Sequence, residues 1–132
     1  MSQLSGDRSK QIVLDFWGCM QANNFRAAAQ LLADDFVLDW PLTGERIRGR
    51  DNFVALNEHY PAHGRWHFTL RRCLAEGAEV VTEVTVTDGV VRAQAITFST
   101  VAHGQISRQV EYWPEPYEPP AWRAKLVERI EN

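Results

Sequence analysis

The stretch Val80-Val81-Thr82-Glu83-Val84-Thr85-Val86-Thr87-Asp88-Gly89-Val90-Val91-Arg92-Ala93-Gln94-Ala95-Ile96-Thr97 decides the fold class. β-Branched residues dominate on both sides of Asp88-Gly89, the dipeptide best suited to a tight hairpin turn. Working downstream, the run Val90 to Ala102 reaches His103-Gly104, and Gln105 to Trp113 follows. Upstream, Trp66 to Ala75 is separated from Val80 by Glu76-Gly77-Ala78-Glu79. Residues 66–113 therefore predict four strands in an antiparallel meander.

The N-terminal third has the other period. With Asp7 as N-cap, Ile12, Phe16, Cys19 and Met20 fall at helical spacing, and Val13 and Trp17 widen the stripe. Asn23 suits a left-handed helix end, and Asn24 suits the cap of a second helix through Phe25, Ala28, Leu31 and Leu32 to Asp34-Asp35. Phe36 to Trp40 reads as a short strand closed by Pro41, and Thr43 to Gly49 as a loop. Asp51 then caps a third helix carrying Phe53, Leu56, Asn57 and Tyr60, ended by Pro61. Residues 113–120 hold four of the six prolines, as a rigid connector or a proline-helix ligand. Trp122, Leu126 and Ile130 mark a last amphipathic helix, Ala121 to Ile130. Helices followed by a meander give an α+β fold, with helices on one face of the sheet.

Composition narrows the function classes. A chain of 132 residues makes one domain, 1–132. Its 45% hydrophobic and 23% charged residues exclude disorder and coiled coil. Lys and Arg total 14 against 17 Asp and Glu, a formal charge of −3 with no basic run, which disfavours nucleic acid. No apolar run reaches membrane-spanning length, and the polar start Met1 to Arg8 is no signal peptide, so a cytoplasmic protein is expected. Cys19 and Cys73 are too few for a disulfide framework and read as small buried residues.

Hairpin register follows from the turns. Two-residue turns at Asp88-Gly89, His103-Gly104 and Gly77-Ala78 set Glu83 opposite Gln94, Phe98 opposite Gln109, Ile96 opposite Glu111, and Arg72 opposite Glu83. One face then collects Trp66, Phe68, Leu70 and Arg72 from the first strand, and Val81 and Glu83 from the second. It continues with Gln94, Ile96 and Phe98 from the third, and Gln109, Glu111 and Trp113 from the fourth. Large aromatics with a few polar groups make a ligand cavity. The opposite face collects Val80, Thr82, Val84, Val86, Val91, Ala93, Ala95, Thr97, Val110 and Tyr112. The helices cover only one face, so a homodimer through this outer face is expected. A one-residue slip exchanges the two sets.

The stretch Asn24-Phe25-Arg26-Ala27-Ala28-Ala29-Gln30-Leu31-Leu32-Ala33-Asp34-Asp35-Phe36-Val37-Leu38-Asp39-Trp40-Pro41 resembles the nuclear-transport-factor-2-like superfamily, in particular its SnoaL-like polyketide-cyclase branch. Gly49-Arg50-Asp51 and the strand from His103-Gly104-Gln105-Ile106 to Glu111-Tyr112-Trp113 extend the resemblance over nearly the whole chain. It implies a cone-shaped, curved antiparallel or mixed sheet wrapped by helices around a deep cavity, usually in a dimer. It implies fold more firmly than function, because one scaffold hosts many chemistries. Ketosteroid isomerases within the superfamily place a base before the proline, a tyrosine on the first helix and a second acid. The matching positions here hold Trp40, Phe16 and Ile96, which argues against steroid isomerase activity. The acid triplet of limonene epoxide hydrolases is not evident either. In the cyclase branch a late-strand acid shuttles protons, and Glu111 is the nearest match.

Glu111 in an aromatic cavity is desolvated and suited to proton transfer, or else a structural carboxylate bonded to Gln94 or Gln109. Arg72 and Glu83 read as an ion pair within the cavity, or Arg72 as the holder of a ligand oxygen. Trp40, Tyr60, His63, Trp66, Phe68, Glu83, Gln94, Ile96, Phe98, Gln109 and Trp113 are the expected ligand contacts, with Glu111 and Arg72 catalytic. His59, His63 and His67 are spaced by four, but Pro61 and Gly64 break any helix between them, so no metal site is expected. No phosphate loop, nucleophile elbow or Cys/His pair is present, so no cofactor is expected. Two functions follow: a cofactor-independent cyclase, isomerase or dehydratase acting on a hydrophobic oxygenated small molecule, or a ligand-binding dimer without turnover.

Overall fold

The computed structural model describes residues 2–130, with side chains from Gly6 onward; Met1, Glu131 and Asn132 of the expected 1–132 domain lie outside the described residues. Helix α1 spans Ser2–Gln21 and buries Val13, Phe16, Trp17 and Met20, one apolar stripe at helical spacing. It starts before Asp7, which is inside the helix and not its N-cap. Asn23 takes φ 55°, and Asn24 Oδ1 accepts from Ala27 N at 3.0 Å to cap α2, Phe25–Ala29. This second helix is a single short turn; the chain turns extended at Leu32, well before Asp34-Asp35.

Strand β1, Leu32–Trp40, pairs with β2, Glu45–Arg48, inside the segment expected as a loop. Helix α3, Arg50–His59, is preceded by Gly49 at φ 86°, so glycine holds the cap position and Asp51 lies in the first turn. The meander follows as β3, His67–Glu76; β4, Glu79–Thr87; β5, Arg92–Ala102; and β6, Gln105–Tyr112. The six strands form one curved, unclosed sheet in the order β2-β1-β6-β5-β4-β3, with only the β1–β6 pair parallel. The α+β roll expected from the sequence is therefore present. Helix α1 packs over β3 and β4 and α3 over β1 and β2, leaving space between them above the concave face.

The expected C-terminal helix is reduced to one 3-10 turn, Ala121–Arg123, with Trp122, Leu126 and Ile130 exposed. A ten-residue amphipathic segment with nothing beneath its apolar stripe does not meet the cost of nucleating a helix.

Two bulges overturn the expected division of the sheet faces. Next to its turn, β3 keeps the expected register, Glu76 opposite Glu79 and Arg72 opposite Glu83. Beyond the bulge at Arg71 the partners become Leu70 with Val84 and Phe68 with Val86. In β6, Gln105 and Ile106 pair as expected with Ala102 and Val101, but the bulge at Ser107 sets Gln109 opposite Ser99 and Glu111 opposite Thr97. Each extra residue reverses which side of the sheet the following side chains occupy. The β4–β5 connection also runs through four residues, Asp88 to Val91, pairing Glu83 with Ile96. That shift of two leaves the faces unchanged.

Val80, Thr82, Val84, Val86, Ala95 and Thr97, expected outside, are consequently the buried face under α1. Trp17 Nε1 donates to Thr82 Oγ1 at 3.2 Å, joining helix to sheet in the core. Arg72, Glu83, Gln94, Ile96 and Phe98, expected on the cavity wall, occupy the convex face.

Candidate active site

Between α1, α3 and the concave sheet lies a cavity of about 650 Å³. Trp40 stands at the end of β1, Gln109 and Glu111 on β6, and Trp113 just beyond it; Trp66 and Phe68 face them from the start of β3. Tyr60 closes the α3 side, with its ring edge-to-face against Trp66 at 6.0 Å. Seven expected contacts thus share one wall: Trp40, Tyr60, Trp66, Phe68, Gln109, Glu111 and Trp113. Asn23 fixes Trp66 there. Its Nδ2 donates to the Trp66 carbonyl at 2.8 Å, and its Oδ1 accepts from Trp66 N at 3.2 Å.

Glu111 is the chemical centre of this wall. Its residue is 7% exposed, and the carboxyl is held by neutral donors. Oε1 accepts from Trp40 Nε1 and Trp113 Nε1, both at 3.0 Å, and Oε2 lies 2.6 Å from Thr97 Oγ1. Burial pushes its pKa upward; the hydrogen bonds from Thr97, Trp40 and Trp113 oppose that shift without reversing it. Gln109 does not touch it: Gln109 Nε2 donates to Ser99 Oγ at 3.2 Å. Ile96 and Phe98, expected beside Glu111, point away from it across the sheet, and Thr97 takes that place.

The remaining expected residues lie elsewhere. Arg72 Nε pairs with Glu83 Oε1 at 3.1 Å, as the register implied, but on the convex face and with the Arg72 side chain 79% exposed. Gln94 Nε2 donates to Glu83 Oε2 on that face. His63 stays outside the cavity wall. Its Nδ1 lies 3.0 Å from Asp88 Oδ2, and the same oxygen accepts from His63 N at 2.8 Å. Asp88 is fully buried and also accepts from Val90 N and Val91 N through Oδ1. Backbone donation from His63 is the largest cause of its strongly lowered pKa. His63 and Asp88 therefore tie the Tyr60–Trp66 connection to the β4–β5 loop. Among the described residues no three His, Cys, Asp or Glu side chains gather as a metal set.

Sequence reasoning missed Phe16, Trp17 and Phe53 as cavity residues, because on their helices they read as ordinary core. It also missed Thr97, whose place opposite Glu111 depends on the bulge at Ser107. Glu45 and Glu115 line the mouth, and no Lys, Arg or His is on the wall among the described residues.

The match to known proteins agrees with this geometry. Residues 13–109 match the family model of the SnoaL-like domain. A ketosteroid isomerase-like protein of Kribbella flavida is 34% identical, covering 96% of this chain and 93% of its own, with a TM-score of 0.89. An NTF-2 like protein of Burkholderia xenovorans is 29% identical over 95% and 97% of the two chains, with a TM-score of 0.78. An LEH-like epoxide hydrolase of M. tuberculosis is 25% identical over 83% and 84%, with a TM-score of 0.68. No curated protein matches the chain. No helix among the described residues is long and apolar enough to cross a membrane.

Proposed function

The chain belongs to the SnoaL-like domain family, and from the site it carries we propose a cofactor-independent enzyme that moves protons on a hydrophobic, oxygenated small molecule. The reaction class is isomerisation, cyclisation or dehydration. One observation carries this reading: a buried carboxyl on the cavity wall is held only by neutral donors. Arginine beside a carboxylate favours its ionised form, whereas burial among neutral donors shifts Glu111 toward the proton-carrying form that acid–base exchange needs. Glu111 is the acid and base. Trp40, Trp113 and Thr97 are positioning residues, because they fix its two oxygens. Arg72 has no part in it, since it lies on the other side of the sheet.

The steroid isomerase reaction is not part of this proposal. The inward positions of β5 are Ala93, Ala95, Thr97 and Ser99, so no second acid faces Glu111 from that strand.

The test is exchange of substrate C–H positions with deuterated water, across a panel of apolar ketones and enol ethers, followed by NMR. Glu111→Gln is expected to lower exchange by about a hundredfold or more while binding persists. Turnover of the variant at the normal rate overturns the reading and leaves a binding protein. That second reading has its own support, since three of the carboxyl's acceptor sites are already occupied.

We also propose that the protein pairs with a second copy through the convex face. Leu74 is 65% and Phe98 46% exposed there, beside Ile96, Val110 and Tyr112, and Phe98 packs edge-to-face on Tyr112 at 6.3 Å. An apolar patch flanked by Arg72 and Glu83 is suited to a twofold contact. Phe98→Glu is expected to give a folded monomer in sedimentation, where the unmodified chain gives a dimer. A monomeric unmodified chain at micromolar concentration removes this part of the proposal.

A further inference from the structure

The cavity has one sign of charge. Its ionisable carboxyls are the buried Glu111 and the exposed Glu45 and Glu115, and among the described residues no cation answers them on the wall. The rest is largely aromatic: Trp17, Trp40, Trp66, Phe68, Trp113 and Tyr60 all contribute. The electron-rich faces of such rings attract positive charge and repel negative charge.

The wall's hydrogen-bond donors reinforce the asymmetry. The indole N–H groups of Trp40 and Trp113 are directed at Glu111, and that of Trp17 at Thr82. Gln109 Nε2 donates to Ser99, and Asn57 Nδ2 to the Phe53 carbonyl at 2.9 Å. An oxyanion forming beside Glu111 meets indole N–H groups already turned toward the carboxyl and the carboxyl itself, with the Trp66 indole N–H and the Tyr60 hydroxyl as the wall's uncommitted donors among the described residues. A cation forming there meets aromatic rings and, once the proton has left, the Glu111 carboxylate.

We propose that the cavity is built for positive charge, so that the reaction proceeds through an oxocarbenium-type cation and not through an enolate. This rests on Glu111 being the acid and base. The substrate class it selects is an apolar enol ether, R–CH2–C(OR′)=CH–R″. Glu111 gives its proton to the CH–R″ alkene carbon, where a C–H bond forms from the π pair. The oxygen-bearing carbon becomes positive, its charge shared with the ether oxygen. A C–H bond of the R–CH2 group on the other side then breaks, its electron pair becomes the new double bond, and the proton returns to Glu111. The double bond has crossed the oxygen-bearing carbon with no co-reactant, and Glu111 ends as it began.

Three probes of similar shape test the preference in the intact protein: benzyltrimethylammonium, its neutral isostere neopentylbenzene, and phenylmethanesulfonate. Quenching of tryptophan fluorescence reports their Kd. The cation is expected to bind about tenfold more tightly than the neutral isostere, and the anion more weakly than both. Trp66→Leu is expected to reduce that cation preference severalfold while the neutral probe changes little. A neutral or anionic probe that binds as tightly as the cation overturns the inference. The deuterium exchange lost in Glu111→Gln is read independently of these affinities. An acid–base enzyme with no cation preference therefore sinks only the present inference, and unchanged exchange sinks the reading beneath it.

Discussion

The two faces of one sheet treat a carboxylate in opposite ways. On the convex face, Asp39 takes Arg46 through both oxygens, at 2.6 and 2.9 Å, and Arg108 at 2.9 Å. The hydrogen bond from Arg46 is the largest cause that brings its pKa down to about 2. Glu83 is bound likewise to Arg72. On the concave face Glu111 receives two indoles and a hydroxyl, and burial drives its pKa up. These groups are separated by one thickness of backbone. Partner chemistry and burial, not residue type, decide which carboxyl is held as a fixed charge and which is pushed toward its neutral form.

The largest effect that tests this contrast comes from placing one charge on either face of β4. Val84 is fully buried, so Val84→Glu is expected to cost about 4 kcal/mol or more and leave much of the chain unfolded. Val81→Glu, three residues away on the convex face, is expected to cost about 1 kcal/mol or less in the monomer. Urea titration checks both, and equal costs break the assignment of faces.

pH gives the next effect. Between the ordinary glutamate pKa and the raised value of Glu111, the folded state holds more protons than the unfolded state. Stability therefore falls as pH rises through that window. Glu111→Gln is expected to be more stable than the unmodified chain at pH 8 and no more stable at pH 4. The amide suits the site, with its oxygen accepting both indoles and its NH2 facing Thr97. Asp39→Asn has the opposite sign. Its carboxylate stabilises the fold above the ordinary aspartate pKa, and that contribution is lost as pH falls toward about 2. The variant is expected to lack this acid-side loss in thermal unfolding from pH 5 to pH 2.

The smallest effect is the Arg72–Glu83 coupling. A buried pair costs several kcal/mol to break from one side, but this pair is open to solvent on the Arg72 side. A double-mutant cycle with Arg72→Met and Glu83→Gln is expected to give less than about 1 kcal/mol. A larger coupling indicates that a second copy covers the pair.

The sequence carried the element types because period and turn chemistry are local. Asn23 and Asn24 fall where their side chains predict, and the pairings next to Gly77-Ala78 and His103-Gly104 are those the turns impose. Its account of the site was partial for a physical reason. Trp40, Trp66, Phe68, Gln109, Glu111 and Trp113 lie on one wall, yet the residues expected between them came from the wrong face. Neither Arg71 nor Ser107 is a glycine or proline that would announce an irregularity. A bulge depends on how neighbouring strands pack, which is a tertiary matter. The last helix failed on the same ground: its amphipathic spacing is real, but no surface is provided to receive it.

Ser107 also sets a reading frame for everything after it. Side chains along a strand alternate like a two-letter code, and one inserted residue moves the frame by one. Straightening the bulge with Ser107 retained turns Gln109 and Glu111 outward and brings Arg108, Val110 and Tyr112 into the cavity, whereas deleting Ser107 together with its bulge leaves Arg108 opposite Thr100 and Glu111 inward. No single substitution does as much. A scaffold with such a device changes the contents of its cavity by keeping or losing one bulge, with every residue still encoded as before. Among relatives of this shape, whether a bulge lies between the turn matching His103-Gly104 and the late-strand acid is therefore the first thing to compare, ahead of residue identity.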